Sequence, residues 1–206
     1  MLDALAHVMA TRDRATAEHA WRVQRLAVAL AQDVALGDDF LIASVQAAAP
    51  LHDIGKLAVP DSVLHKPGPL TPEEYELVKW HAALGGEILG AIEHGRPLAQ
   101  IVRHHHENWD GTGYPDGLRG TEIPLGARVL AIVDCYDALT SERPYRQPLT
   151  HPDAMVMMLE RRGTMYDPAI LDAFVHVVQR LRANDAVLTR DFVAAHPYRL
   201  HPARVT

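Results

Sequence analysis

The sequence predicts an all-α protein built as one helical domain. Three observations carry this. Apolar residues recur at helical spacing in most segments, helix-start signals stand ahead of those segments, and no run alternates apolar and polar residues as a half-buried strand would. With 206 residues, 48% of them apolar, the chain is long enough to bury one sizeable core.

Leu2, Leu5, Val8 and Met9 are spaced for a short opening helix. Thr16 is placed to cap a second, which carries His19 in its first turns and runs through Val23, Leu26 and Leu30 toward Gly37. Asp38 or Asp39 can cap a third, rich in alanine at Ala47, Ala48 and Ala49. Small side chains permit close helix approach, so this helix is expected to be central and buried, to kink at Pro50 and to end around His52 and Asp53. Prolines and a glycine between Pro60 and Pro69 mark an irregular loop. Thr71, Pro72 and Glu74 then combine an N-cap, a first-turn proline and a capping-box acid. The helix they open is expected to stop near Gly85 and Gly86, with a short helix following to about His94. Another, from Pro97, delivers His104, His105 and His106 at its end. Residues 107 to 125, rich in glycine, are expected as a loop. Leu125 to Leu139 is again helical, with Asp134 and Asp137 on one face. After a loop at 143–146, Thr150 opens a helix ending at Gly163, and Asp167 with Pro168 opens the last, to about Leu181. Residues 1–183 are expected to form the domain, and 184–206 a poorly ordered tail.

A net charge of −6 argues against bulk nucleic-acid binding. No apolar run approaches the roughly twenty residues that span a bilayer, and the N-terminus lacks the basic start and cleavage site of a secretory leader. The single cysteine, Cys135, excludes an internal disulfide framework. A cytoplasmic location without membrane insertion is the expectation.

The chemistry concentrates in acids and histidines drawn from different helices: His19; His52 with Asp53; His81; and His105 and His106 with Asp134. Any one of them, in a chain with 13 histidines, reads best as an ordinary surface residue; the set does not. Imidazole and carboxylate suit iron, manganese, cobalt and zinc, and a site inside a helical bundle collects one or two ligands from each helix. Adjacent histidines on a helix diverge by about 100°, which favours more than one ion. Asp53 is the natural bridge, because a carboxylate has two oxygens. Two close ions acidify a shared water and clamp a phosphoryl group. Lys56, one turn beyond His52, can neutralise charge developing on a phosphate oxygen. Glu107 and Asp110, and Asp137 beside Asp134, are candidates to orient the ligands without touching the ions. His104 is expected to be exposed and not a ligand, and Trp21, Trp80 and Trp109 to be packing aromatics.

These residues lie in a longer pattern: Thr16-x-x-His19-x-x-Arg22, Leu51-His-Asp-Ile-Gly-Lys56, Lys66-Pro-Gly68, Leu70-Thr-x-Glu73-Glu74, His81-x-x-x-Gly85, His105-His-Glu-x-x-Asp-Gly-x-Gly-Tyr-Pro115, Asp134-x-x-Asp-Ala-Leu-Thr-Ser141 and Arg143-Pro-Tyr-Arg146. Over about Thr11 to Ala173 the chain resembles the HD-GYP family, a branch of the HD phosphohydrolases whose members hydrolyse the bacterial messenger cyclic di-GMP. A bare His-Asp pair is a weak signal; the long Gly-Tyr-Pro motif with these flanks is close to diagnostic.

The resemblance implies an HD-type helical domain with its glycine-rich signature loop near a multi-metal site. It implies metal ligation by His19, His52, Asp53, His81, His105, His106 and Asp134, and phosphate binding by Arg143 and Arg146. Tyr114, in the signature loop, is placed to contact the ligand or a partner. Two divalent ions, iron or manganese first among the candidates, and a water shared between them would convert cyclic di-GMP mainly to linear pGpG. Three-metal members of the family carry a glutamate one turn before the first histidine; here that residue is Ala15, which has no donor atom. A sensory or receiver domain, in a longer parent chain or in trans, and a homodimer are partner expectations of the same kind. Two other readings stand beside this one: a cyclic di-GMP receptor or adaptor without turnover, and the same chemistry on another cyclic dinucleotide or nucleotide.

Overall fold

The computed structural model describes residues 2–12, 14–142 and 147–183. Among them lie the helices α1 (Leu2–Arg12), α2 (Arg14–Val34), α3 (Asp39–Ala48), α4 (Asp61–Leu64), α5 (Pro72–Gly90), α6 (Arg96–His104), α7 (Leu125–Thr140), α8 (His151–Leu159) and α9 (Pro168–Ala183). Three short 3-10 turns, Ala49–Leu51, Ile54–Ala58 and Gly120–Glu122, complete the regular structure. No strand occurs among the described residues; Arg162 and Tyr166 form an isolated bridge. No helix among them is long and apolar enough to cross a membrane.

On α2, Val23, Leu26, Ala27, Leu30 and Ala31 recur every three or four residues and are buried as one stripe. The helix begins at Arg14, two residues before the expected cap. Among the described residues, the helix that buries the most residues is α7, with Gly126, Ala127, Val129, Leu130, Ile132, Val133, Tyr136 and Asp137. By contrast α3 buries only Ser44, Val45 and Ala48, and leaves Phe40 70% exposed. The central role expected of α3 therefore belongs to α7, whose branched and aromatic side chains remove more apolar area from water than alanines do. At the far side Phe174 of α9 is fully buried with its ring 5.1 Å from that of Tyr136. Truncating such a ring to alanine costs about 3–5 kcal/mol.

Two local differences from expectation position the site. First, α3 stops at Ala48, before His52 and Asp53. Pro50 has no N–H to extend the helical ladder, and the chain tightens into consecutive turns that carry both residues. Second, α5 does not stop at Gly85 and Gly86 but continues to Gly90, so no separate short helix follows. A Cβ at Gly85 would lie 2.9 Å from Cγ1 of Val102, and one at Gly86 2.8 Å from Cβ of Arg103. These glycines admit α6 against α5, and that packing outweighs their helix penalty of about 1 kcal/mol each. The start of α5 is as expected: Thr71 Oγ1 accepts from the Glu74 N–H at 3.2 Å, and the Glu74 carboxylate accepts from the Thr71 N–H at 2.7 Å. Residues 143–146 and 184–206, expected as a loop and a tail, lie outside the described residues.

Candidate metal centre

Five segments deliver the seven expected ligands to one place. His19 comes from α2, His52 and Asp53 from the turns after α3, His81 from α5, His105 and His106 from the end of α6, and Asp134 from α7. His52 and His105, far apart in sequence, have ring centroids 5.4 Å apart. The donor atoms fall into two nests. In each of the groups His81, His105, His106 and His19, His52, Asp53, the candidate atoms all lie within 4.8 Å of one another. Asp134 joins the second, its Oδ1 lying 3.2 Å from His19 Nε2 and 3.7 Å from His52 Nε2.

Asp53 stands between the nests. Its Oδ1 is 3.4 Å from His81 Nε2 on one side, and its Oδ2 is 3.5 Å from His52 Nε2 on the other. Close backbone packing holds this arrangement. A Cβ on Gly55 would meet the His81 carbonyl oxygen at 2.0 Å, so only glycine lets that turn lie against α5.

The tautomers are fixed from behind. Nδ1 of His52, His81 and His105 lies 2.7, 2.6 and 2.6 Å from the carbonyl oxygens of Ala49, Val78 and Val102. A carbonyl can only accept, so each Nδ1 carries the proton and each Nε2 presents a lone pair to the centre. His19 is held likewise, its Nδ1 donating to Asp137 Oδ2 at 2.7 Å. Nε2 of His81 and of His105 is buried with no hydrogen-bond partner. Nε2 of His19 and of His52 face each other at 3.2 Å. Orphaned buried nitrogens are costly, and a cation bound by the inward Nε2 lone pairs of His81 and His105 would relieve them. The donor set therefore fits divalent metal.

Charge divides the nests. Burial pushes the His105 imidazole well below its usual range, helped by its three histidine neighbours. Burial lowers His106 to about 4, and lowers His81 against the pull of Asp53. These three are neutral near pH 7. His19 behaves oppositely: burial opposes its charge, yet hydrogen bonds to Asp134 and Asp137 raise it to about 9. For both Asp53 and Asp134 burial opposes ionisation, but neighbouring cations overcome it and hold each carboxyl far below the usual range. Lys56 leads for Asp53, and His19 for Asp134.

Around the ligands, Asp137 accepts from His19 and also from Arg22, whose Nε and Nη2 lie 2.6 and 3.0 Å from its two oxygens. In the sequence Arg22 is marked only by its place in a motif, one turn after His19. Lys56 Nζ donates to Asp53 Oδ2 at 2.6 Å, at the edge of the centre. Glu107 and Asp110 do not orient the histidines. Glu107 Oε1 accepts from the N–H groups of Asp116 and Gly117, and Asp110 Oδ1 accepts from Thr112. Both shape the signature loop, because their side chains point along it. His104 is buried, not exposed: its Nδ1 donates to the Gln100 carbonyl at 2.8 Å, and its Nε2 lies 2.9 Å from Asp116 Oδ2. With both nitrogens engaged it is no ligand. Arg103 grips the same Asp116 through two contacts of 2.7 Å. The loop so held presents Tyr114 to His106, rings stacked 4.9 Å apart at 29°. Trp80 is 74% exposed, so it is not a packing aromatic. Arg143 and Arg146 lie outside the described residues.

The sequence profile of the HD domain family matches residues 3–170. The chain belongs to the HD domain family. Within it, the HD-GYP branch is the one its relatives indicate. A probable cyclic di-GMP phosphodiesterase of Vibrio cholerae serotype O1 is 43% identical over 187 residues, covering 84% of this chain and 42% of that protein. A 3'3'-cGAMP-specific phosphodiesterase of the same organism is 37% identical over 172 residues, covering 82% of this chain and 32% of that protein. Among solved structures, an HDG"Y"P protein from Bdellovibrio bacteriovorus superposes with a TM-score of 0.64 at 22% identity, covering 80% of this chain and 52% of that one, a likeness of fold. This HD domain spans less than half the length of these two curated relatives. HD-domain phosphohydrolases are metal-dependent, as the two nests would suit.

Proposed function

We propose that this HD domain is a metal-dependent phosphodiesterase that hydrolyses cyclic di-GMP, mainly to linear pGpG. The observation that carries the reading is the placement of Asp53, one oxygen toward each histidine nest. That is the arrangement two ions sharing a carboxylate require. His81, His105 and His106 with Asp53 would hold one ion; His19, His52 and Asp134 with the other oxygen of Asp53 would hold the second. Bound there, divalent metal, with iron or manganese proposed, supplies an acidified water and a positive clamp on the phosphate.

The chain's own groups do the rest. Backbone carbonyls behind His52, His81 and His105 keep their Nε2 lone pairs aimed inward. Asp137 orients His19, whose Nε2 proton a metal would displace, and is itself steadied by Arg22. Lys56, 31% exposed at the edge of the centre, offers positive charge where a phosphate oxygen would lie. Arg143 and Arg146 are proposed to take the flanking phosphate through forked, permanently charged contacts. Water adds to phosphorus, the 3'-oxygen leaves with the proton, and the ring opens to a 5'-phosphate.

The intact donor set favours turnover over a receptor role. The 3'3'-cGAMP-specific relative keeps a mixed cyclic dinucleotide open as substrate. Ala15 lies one turn before His19 in α2 and offers no donor, so a third ion and rapid onward cleavage to GMP are not expected. The test is elemental analysis of anaerobically purified protein together with a chromatographic time course on cyclic di-GMP. Two ions per chain and accumulating pGpG are expected. Binding without any hydrolysis by the metal-loaded protein would select the receptor reading.

A further inference from the structure

Beside the metal centre, α5 presents an aromatic and a cation away from its buried face. Tyr75 is 48% exposed on a helix whose buried residues are elsewhere, His81, Ala82, Gly85, Gly86 and Leu89. One turn later, the Lys79 ammonium sits 5.0 Å from the Tyr75 ring and 5.6 Å from the Tyr114 ring. Glu76 Oε1 accepts from it at 2.6 Å and holds it there. Tyr114 stacks on the candidate ligand His106, so Lys79 stands one ring away from the metal nest. A surface ion pair alone contributes little to stability and does not account for two tyrosines flanking the lysine.

We propose that Tyr75 and Lys79, with Tyr114 behind them, form a ledge that reads one guanine of the cyclic dinucleotide. The inference rests on the phosphodiesterase reading and adds base choice to it. Every base has a π-face that can stack on an exposed aromatic ring such as Tyr75. An ammonium donates to O6 and N7 of guanine, whereas adenine presents an amino donor in place of O6. Lys79 has three donors and spends one on Glu76, which leaves two for those two acceptors. The ledge lies on one flank of the centre, so it reads one base per catalytic event. A mixed dinucleotide would then bind in one orientation, with its guanine on the ledge and a defined phosphate at the metal. Cyclic di-AMP would be rejected.

The experiment is hydrolysis of cyclic GMP-AMP by the metal-loaded protein, with the two linear isomers separated by chromatography. One isomer is expected in about tenfold excess or more, the discrimination one good base contact supplies. The excess should fall toward parity in Lys79→Met and in Tyr75→Leu, and be kept by Tyr75→Phe. Both isomers arise in one tube from one enzyme, so partial unfolding or metal loss cancels in their ratio. Equal isomers from the unmodified protein, or an unchanged ratio in Lys79→Met, overturns the ledge. If no cyclic dinucleotide is hydrolysed, the phosphodiesterase reading itself fails. Equilibrium dialysis against GMP and AMP then decides the ledge alone. A preference for GMP of about tenfold that Lys79→Met removes supports it, and equal retention overturns it.

Discussion

The two nests on either side of Asp53 are built from the same imidazole chemistry but differ in protonation. His81, His105 and His106 are kept neutral by burial, with His106 lowered to about 4. In the other nest His19 is raised to about 9 because two carboxylates, Asp134 and Asp137, outweigh its burial. Dehydration prepares the first for a cation by removing competing protons. Carboxylates prepare the second by attracting a cation, and a proton answers first.

The largest test of this comparison removes its hinge. Asp53→Ala should lose both ions and all measurable turnover, more than the ~10–100-fold that loss of an outer partner costs. Elemental analysis that still finds two ions would break the bridging assignment. Next, His105→Ala and His19→Ala should each lose one ion and keep the other. A protein emptied completely by either change would mean that the nests do not load separately.

The charge contrast also sets a pH profile for metal-free protein. His106 protonates more readily unfolded than folded, so its contribution to stability is present above the ordinary histidine value of 6.5 and is lost as pH falls toward about 4. His19 holds its proton more tightly when folded. Its contribution is present below 6.5 and is lost as pH rises through about 9. Thermal melts of the metal-free protein should therefore peak near neutrality and fall on both sides. His19→Gln should flatten the alkaline fall and leave the acid one. At pH 7 filling the His19 nest should release about one proton, and filling the other none. Calorimetry in buffers of different ionisation enthalpy measures this directly.

The smallest expected effect is that of Asp137→Asn, which keeps the shape behind His19 but removes its charge. Metal affinity of that nest should drop by about 10–100-fold with the other unchanged. An equal loss at both would show that Asp137 supports the fold rather than one ligand.

The seven ligand candidates were legible as clusters on different predicted helices, and their roles through the resemblance of the motifs that hold them. What the ends of those helices meet was not. His104 is sequentially inseparable from its neighbours, yet its Nε2 faces Asp116 from across the signature loop. Glu107 and Asp110 sit beside the histidines in sequence but bond along that loop. Gly85 and Gly86 carry the composition of a helix stop, and only the nearness of Val102 and Arg103 shows that they admit a neighbour. Alanines suggested a buried α3, whereas burial followed the larger apolar faces of α7. Arg22 carried one faint signal, its place one turn after His19, but nothing in its own segment named Asp137 as its partner.

One further consequence follows from the contacts of Lys56, His19 and Arg22. Asp53, Asp134 and Asp137 each already have a cation: Lys56 for Asp53, His19 for Asp134 and Arg22 for Asp137. A domain balanced in this way is expected to fold without an ion, unlike a zinc finger, whose apo form is a random chain. Metal would enter it by exchange, displacing the His19 proton and loosening Lys56 from Asp53. Supply of the ion would then govern whether the molecule works, and add to its survival only the increment that binding to the folded state brings.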